Sequence, residues 1–300
     1  MGSWPEMKGK MIRESFRYDT KRIAVYDVMR AICILWIAGV WHMGNYVKQV
    51  SGFVLSSDIS YHITDGVLAA FTLLSSLIQK SKLDGKDVNA SVRYLVRRGI
   101  YLYPLFALAC MLFTVMGTYP LKWGLAYLSM LGIFTYRAPA TLWYINMIFV
   151  FTAFGAVILT SGLKQSRIIL IICTEALFVI LHYLTRADIR LAFYWLFYSI
   201  PFLADIRIDP SETLLYTVLL IVSSTLLVSV TLQRCFVVKN DYSVVSFIDS
   251  GLVMTAIVGA AVLLSKSGIA SYILGLIGKN SLFIYLFHRP VRSVNKDSEN

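Results

Sequence analysis

Residues 24–46 of this 300-residue chain read AVYDVMRAICILWIAGVWHMGNY, an apolar run that contains three ionisable side chains, Asp27, Arg30 and His42. A helix needs about 20 predominantly apolar residues to cross the roughly 30 Å hydrocarbon core of a bilayer. Residues 24–46 are long enough to do so, and they therefore predict a membrane-spanning helix.

The composition of the whole chain points the same way. Apolar residues make up 57% of the chain and charged residues 15%, against roughly 45–50% and about 25% in soluble domains. The mean hydropathy is +0.67. A soluble globule cannot hide this much apolar side chain, so the composition excludes a soluble enzyme, a disordered chain and a secreted disulfide scaffold.

Charge and cysteine content exclude two further classes of site. The net charge of +11 fits the Lys and Arg excess of cytoplasmic membrane loops. No basic and aromatic recognition module accompanies it, so we expect no nucleic-acid binding. The cysteines have no metal-ligand spacing, so we expect packing residues and no metal site. The four positions are Cys33, Cys110, Cys173 and Cys235.

Apolar runs recur along the chain with short connections. They predict an all-α integral membrane protein, a polytopic bundle of about ten transmembrane helices. We expect one transmembrane domain at 23–290, preceded by a basic cytoplasmic tail at 1–22 and followed by a cytoplasmic tail at 291–300. The ten predicted spans are 24–46, 61–79, 99–117, 120–136, 141–161, 167–184, 190–206, 213–232, 243–265 and 269–288.

The distribution of Lys and Arg predicts the orientation of this bundle. With the N-terminus inside, 20 of the 28 Lys and Arg residues fall in inside segments and six in outside loops. The remaining two, Arg30 and Lys279, lie within predicted helices. Because inside loops carry the excess of basic residues, the count predicts that both termini are cytoplasmic.

The charged residues of the first predicted helix are candidate functional residues, since such groups are costly within a membrane. Asp27 and Arg30 are three positions apart and can pair on one helix face. The alternative for them is an interfacial ion pair, with Arg30 extending toward water. His42 lies about 18 Å further along an ideal helix, and its alternative is a packing role.

A second candidate is the basic pair Arg97 and Arg98, which stands directly before Gly99 in a connection rich in Lys and Arg. A guanidinium group offers a planar fork of donors to phosphate oxygens, so the pair suits the entrance of a phosphate-containing ligand. The alternative is a positive-inside anchor for the following helix. Composition alone does not separate the two.

Several motifs together resemble the membrane acyltransferase family 3, which contains the bacterial polysaccharide O-acetyltransferases. The sequence DVMRAICILWI at 27–37, followed by His42, resembles the family's first-helix signature. The other matches occur in family order: FTLLSSLI at 71–78, RRGIYLYPL at 97–105, LWY at 142–144 and GKNSLFIYLFH at 278–288.

The resemblance implies an O-acetyltransferase of the bacterial inner membrane, with acetyl-CoA as donor and a glycan or lipid-linked sugar as acceptor. In such an enzyme a neutral histidine suits the general base for a sugar hydroxyl, a role we assign to His42. Arg30, paired with Asp27, would stabilise the developing charge or orient the donor. Arg97 and Arg98 would bind the coenzyme phosphates. A direct transfer and a covalent acyl intermediate both remain open.

The chain departs from the family pattern in the spacing of its first motif. Eleven residues separate Arg30 from His42, where the family usually has ten. Twelve steps of an ideal α-helix leave two side chains about 120° apart, whereas eleven steps leave them about 20° apart. Either the two residues face different ways, or a π-bulge between 31 and 41, with Gly39 its favoured place, restores the register.

A non-catalytic protein is the alternative function. In a transporter or flippase of lipid-linked sugars, Asp27, Arg30 and His42 would line a permeation path or a proton relay. The basic pair at Arg97 and Arg98 favours the acyltransferase, because a transporter does not need a phosphate grip at that place.

Overall fold

The computed structural model describes residues 24–42, 57–117, 120–134, 142–234 and 244–288. Helices account for the regular structure in these ranges, and none of the described residues forms a β-strand. We number the α-helices in chain order. They are α1 Ala24–His42, α2 Ser57–Leu83, α3 Val88–Val115, α4 Leu121–Leu128, α5 Trp143–Thr160, α6 Lys164–Thr185, α7 Arg190–Leu203, α8 Thr213–Arg234, α9 Val244–Leu264, α10 Gly268–Lys279 and α11 Ser281–Phe287.

Six of the described helices are long and apolar enough to cross a membrane. They are α1, α2, α3, α5, α6 and α9. A seventh span results if α10 and α11, which meet at a bend of 55°, are counted as one. This pattern supports the predicted helical, multi-pass membrane protein.

The other predicted crossings are not confirmed. The fourth corresponds to α4, which has 8 residues and is followed by a 3₁₀ turn at Leu131–Phe134. The seventh corresponds to α7, which has 14 residues. At 1.5 Å per residue these helices are about 12 and 21 Å long, short of the roughly 30 Å needed. The eighth contains the shorter apolar helix Thr213–Ser229.

The described residues group into two compact units. The first falls within Met1–Phe71, Arg207–Asp241 and Ile248–Ser281, and the second within Thr72–Ile206, Tyr242–Phe247 and Leu282–Asn300. In the first unit, glycines allow helices to approach closely. A Cβ at Gly66 of α2 would lie 2.3 Å from Val253 of α9, and one at Gly259 of α9 would lie 2.9 Å from the Tyr216 carbonyl oxygen of α8. Such small residues are typical of helix packing in membranes.

The second unit is centred on an aromatic cluster between α5, α6 and α7. The Phe151 ring of α5 lies 5.3 Å from the rings of Trp195 and Tyr198 and 5.9 Å from that of Phe178. All four side chains are buried. The aromatic side chains of α7 therefore pack in a protein core, which explains why a helix of 14 residues is so apolar.

Helix α6 shows the opposite arrangement. Its mean hydropathy is 2.2 over the most apolar window, yet only 17% of that window is buried in the protein. Large apolar side chains such as Ile169, Ile172 and Ile180 are exposed. An apolar face of this size without protein cover is suited to lipid.

Candidate functional site

An ion pair stands in the first half of α1, in the first unit. The Arg30 Nη1 atom donates a hydrogen bond of 2.7 Å to the Asp27 carboxylate. The Asp27 side chain is 5% exposed and that of Arg30 is 31% exposed. The predicted pairing is therefore present, and the carboxylate is the buried partner while the guanidinium group keeps a free side.

The end of α10 packs directly against this ion pair. A Cβ at Gly278 would lie 1.8 Å from the Asp27 carbonyl oxygen, so only glycine fits there. The next residue, Lys279, is exposed, and its charge acts on the Asp27 carboxylate. The close packing of Gly278 on Asp27 thus brings a second cation, Lys279, into the surroundings of the Asp27–Arg30 pair.

The second half of α1 is wound as a π-helix. Residues 24–34 are α-helical, and the eight residues Leu35–His42 form i→i+5 hydrogen bonds. The predicted π winding is confirmed, and it extends over eight residues instead of a single bulge. A Cβ at Gly39 would contact nothing within 4 Å, so close packing does not explain the glycine.

The π winding changes the direction of His42. An i→i+5 ladder takes about 4.4 residues per turn, or about 82° per residue. Four α-helical steps and eight π-helical steps place the Arg30 and His42 side chains within about 25° of each other. On this ideal geometry the two side chains are directed to one side of α1, although their spacing would place them about 120° apart on an ideal α-helix.

Two aromatic contacts hold the π-helical segment against α2. The indole Nε1 of Trp36 donates a hydrogen bond of 3.0 Å to the Thr64 hydroxyl. Further along, the rings of Trp41 and Tyr61 meet edge to face with centroids 4.5 Å apart. These contacts hold the part of α1 that directly precedes His42, whose side chain is half-buried.

The second unit contains Arg97 and Arg98, in the first half of α3. Arg97 is exposed and Arg98 is half-buried. Arg98 Nη1 donates a hydrogen bond of 2.9 Å to the Tyr94 hydroxyl. Its Nε atom is buried and has no hydrogen-bond partner among the described residues. The structure thus places the two arginines in different surroundings, with Arg98 directed into the protein.

A buried polar network lies close to Arg98. The Tyr198 hydroxyl of α7 donates to the Gln79 side-chain oxygen of α2, and the Gln79 amide nitrogen donates to the Thr152 carbonyl of α5 at 2.8 Å. The Arg98 charge acts on the Tyr198 hydroxyl. Gly155 allows this approach, since a Cβ there would lie 2.6 Å from the Gln79 oxygen.

We expect Gln79→Leu to lower the free energy of unfolding by about 2 kcal/mol, because two buried polar groups lose their partner. The double variant Gln79→Leu, Tyr198→Phe should lose less than the sum of the two single variants, since it removes both sides of the bond. The free energies of unfolding of the single and double variants are measured in detergent, with Gln165→Leu at an exposed position as control. Additive losses would show that the Gln79 and Tyr198 side chains do not interact.

The tryptophan of the LWY motif has a packing role. The Arg190 guanidinium carbon lies 3.7 Å from the centre of the Trp143 ring. Asp188 binds the same guanidinium group through both carboxylate oxygens, with Nε distances of 2.8 and 2.9 Å. A cation held between a carboxylate and an indole face is stable, and it ties the start of α7 to α5.

Three polar residues escaped the sequence analysis as site residues. Gln79 has its hydrogen-bond partners on other helices, and the charge of Lys279 acts on Asp27 of another helix. No local pattern in the sequence shows such relations. Glu175, in the middle of α6, could have been identified from the sequence, because a carboxylate within an apolar helix is a functional candidate. Its Oε2 atom is buried without a hydrogen-bond partner among the described residues.

The described residues contain no group of three or more His, Cys, Asp or Glu side chains placed to hold a metal ion. By ideal helix geometry the π winding directs Arg30 and His42 to one side of α1. Arg98 is half-buried whereas Arg97 is exposed. The charge of Lys279 acts on Asp27. No family model matches the chain, and no curated protein and no solved structure matches it.

Proposed function

We propose that the chain is an O-acyltransferase of the bacterial inner membrane that transfers an acetyl group from acetyl-CoA to a glycan or lipid-linked sugar. The observation that carries the proposal is the π winding of α1, because the ideal geometry of such a winding directs Arg30 and His42 to one side. A base and a cation on one side of a membrane helix suit a reaction that removes a proton and develops a negative charge.

In the proposed reaction, the neutral His42 imidazole takes the proton of a sugar hydroxyl as its oxygen attacks the thioester carbonyl carbon. The carbonyl oxygen gains negative charge in the tetrahedral intermediate. The carbon–sulfur bond then breaks, and the departing thiolate takes the proton back from the imidazolium. The products are an O-acetylated sugar and free CoA, and His42 returns to its neutral state.

Arg30 is assigned to the anionic oxygen or to the orientation of the donor. Its side chain is 31% exposed, and the guanidinium group has further donors for a ligand besides the one that binds Asp27. Asp27 is the positioning residue, because its hydrogen bond of 2.7 Å limits the directions that the guanidinium group can take. Lys279 adds a second positive charge beside the same carboxylate.

The donor phosphates are assigned to Arg98, with Arg97 as an exposed contributor to the basic surface. Support comes from the buried Nε atom of Arg98, a donor without a partner among the described residues. The connection between α2 and α3 would be cytoplasmic, as would both termini, in keeping with the Lys and Arg distribution. The ten-span arrangement belongs to the same proposal.

The direct test is acetyl transfer by the purified protein in liposomes. Acetyl-CoA and a lipid-linked oligosaccharide acceptor are supplied, and the release of free thiol is followed together with the mass of the acceptor. Thiol release that requires the acceptor, with a mass gain of one acetyl group, is expected. Movement of the acceptor across the bilayer without thiol release would instead establish the transporter or flippase.

The basic pair provides a prediction about the donor. Arg98→Lys should raise the KM for acetyl-CoA about tenfold, because a lysine keeps the charge and loses the fork of donors. Arg97→Lys is the matched control, since it makes the same change at an exposed neighbouring position, and its KM should stay within about twofold. Equal KM values for both variants would exclude a phosphate-binding role for Arg98 and would indicate that the pair only anchors the helix at the cytoplasmic side.

A further inference from the structure

Arg98 of α3 is a half-buried cation that pairs with no carboxylate among the described residues. Three other arginines of the described chain each bind an aspartate, namely Arg30, Arg167 and Arg190. Helix α3 is long and apolar enough to span a membrane, and a cation in such a helix is costly unless an anion accompanies it. An anionic ligand can supply the counterion that the described residues do not.

The hydrogen bonding of Arg98 leaves one donor edge of its guanidinium group open. Nη1 donates to the Tyr94 hydroxyl at 2.9 Å. Nε is buried without a partner, and Nη2 makes no hydrogen bond to a described residue. Because the group is planar, the hydrogen of Nε and one hydrogen of Nη2 point side by side. This Nε–Nη2 edge can bind two oxygens of one phosphate at once.

Tyr94 reaches Arg98 because the two residues are four positions apart on α3. They lie within about 40° of one another around the helix and about 6 Å apart along it. Side chains on a helix lean toward its N-terminus, so Arg98 leans back over Tyr94. The guanidinium group is thereby brought toward the start of α3, the end that the Lys and Arg distribution predicts to be cytoplasmic.

The Tyr198 hydroxyl of α7 is close to both groups, since Arg98 and Tyr94 both act on it electrostatically. Its hydrogen is donated to Gln79, and the Gln79 amide donates in turn to the Thr152 carbonyl at 2.8 Å. Neither Tyr198 nor Gln79 forms a hydrogen bond with the guanidinium group. Tyr94 is therefore the described residue that holds the guanidinium group by a hydrogen bond.

We propose that Tyr94 is a positioning residue of the donor site: its hydroxyl holds Nη1 of Arg98, so that the Nε–Nη2 edge binds a phosphate of acetyl-CoA. The inference rests on the proposed function, which supplies the donor. Tyr94 acts through Arg98 and does not touch the coenzyme. A bidentate contact depends on the direction of the planar group. Without the hydroxyl the guanidinium group rotates about its side-chain bonds, and the contact is weakened.

Binding of CoA to the purified protein in detergent tests the positioning role. Tyr94→Phe removes the hydroxyl and keeps the ring, and it should raise the dissociation constant, measured by isothermal titration calorimetry, about fivefold. The KM for acetyl-CoA should rise by a similar factor while kcat stays within about twofold. This split is expected because a phosphate far from the reacting atoms is bound equally in the ground state and the transition state.

The Arg98→Met background separates a positioning role from a structural one. Arg98→Met alone should raise the dissociation constant about thirtyfold. If Tyr94 acts through Arg98, adding Tyr94→Phe should change the constant by less than about twofold once the guanidinium group is absent. A fivefold effect that persists in this background would show that Tyr94 acts independently of Arg98, which overturns the positioning role.

The matched control is Tyr103→Phe on the same helix. The Tyr103 hydroxyl donates to the Leu128 carbonyl at 3.1 Å, so this variant also loses one hydrogen bond of α3, but none to Arg98. Its dissociation constant for CoA should stay within about twofold of normal. A rise equal to that of Tyr94→Phe would reveal a general effect of α3 on binding and would overturn the assignment.

Lipid headgroups also contain phosphate, so phosphatidylglycerol is titrated in parallel with CoA. Tyr94→Phe and Arg98→Met should weaken the binding of CoA and leave that of phosphatidylglycerol unchanged. The converse would assign the Nε–Nη2 edge to a headgroup and overturn the coenzyme as its ligand.

The outcomes separate this inference from the proposed function. Weak CoA binding in Arg98→Met with normal binding in Tyr94→Phe would overturn the positioning role and leave acetyl-CoA as the donor. Failure of the unaltered protein to bind CoA would overturn both the positioning role and the proposed donor.

Discussion

Replacement of His42 by asparagine should lower the rate of acetyl transfer by at least about 100-fold, because general acid–base catalysis contributes factors of this size. Asparagine keeps a polar side chain of similar size but cannot accept the proton of a sugar hydroxyl. The α1 helix should still form, since the hydrogen bonds of its π-helical part are made by the backbone. The measurement is acceptor-dependent thiol release from acetyl-CoA.

The matched control for this variant is His182→Asn. His182 is also half-buried and on an apolar helix, but its Nδ1 atom bonds to the Ala187 carbonyl at 2.7 Å, as expected of a residue that closes a helix. Its replacement should leave the transfer rate within about twofold of normal. Normal acetylation in cells that carry His42→Asn would disprove the assignment of the base.

The second large effect is expected at Gly278. In Gly278→Ala the new Cβ would lie 1.8 Å from the Asp27 carbonyl oxygen and 2.6 Å from its carbonyl carbon. A backbone atom cannot rotate away as a flexible side chain would, so α10 must shift as a whole. We expect a loss of about 3 kcal/mol in the free energy of unfolding, at the upper end of overpacking costs.

Gly275→Ala on the same helix is the control for Gly278→Ala. A Cβ at Gly275 would meet nothing within 4 Å, and alanine favours a helix over glycine by roughly 1 kcal/mol. Gly275→Ala should therefore raise the thermal midpoint while Gly278→Ala lowers it. Similar midpoints for the two variants would contradict the close contact between α10 and α1.

The first helix shows how far sequence reasoning extends. The sequence from 24 to 42 predicted an apolar helix and its Asp27–Arg30 pair, because both depend on residues close in sequence. The π winding was one of two alternatives that the Arg30–His42 spacing left open, and it is the one observed. The contact of Gly278 with Asp27 joins residues some 250 positions apart, so only tertiary packing reveals it.

The arginine pair and the buried network illustrate the same limit. Adjacent positions on a helix point about 100° apart, so only one of Arg97 and Arg98 was expected to point into the site, with Arg98 favoured. The structure turns Arg98 inward. The bond from Tyr198 to Gln79 joins residues 119 positions apart, and nothing in either local sequence indicates the other.

The ten predicted spans are confirmed only in part, for a different reason. Apolar side chains are stable away from water, and both a protein core and lipid provide such surroundings. An apolar run in the sequence therefore does not distinguish the two. Helix α7 is buried along most of its length, so its apolar residues gave the same signal as a crossing helix. The exposed face of α6 is the contrasting case, where the sequence signal and the membrane assignment agree.

In the π-helical segment Leu35–His42, the direction of a side chain depends on the winding of the helix as well as on the number of residues. If one residue were removed and the helix were α-helical throughout, Arg30 and His42 would be eleven steps apart and their directions would differ by about 20°. The twelve steps of the present helix reach nearly the same angle because part of it has the wider π winding. The loss of one residue from this segment, with a return to α-helical winding, would therefore leave the direction of His42 nearly unchanged.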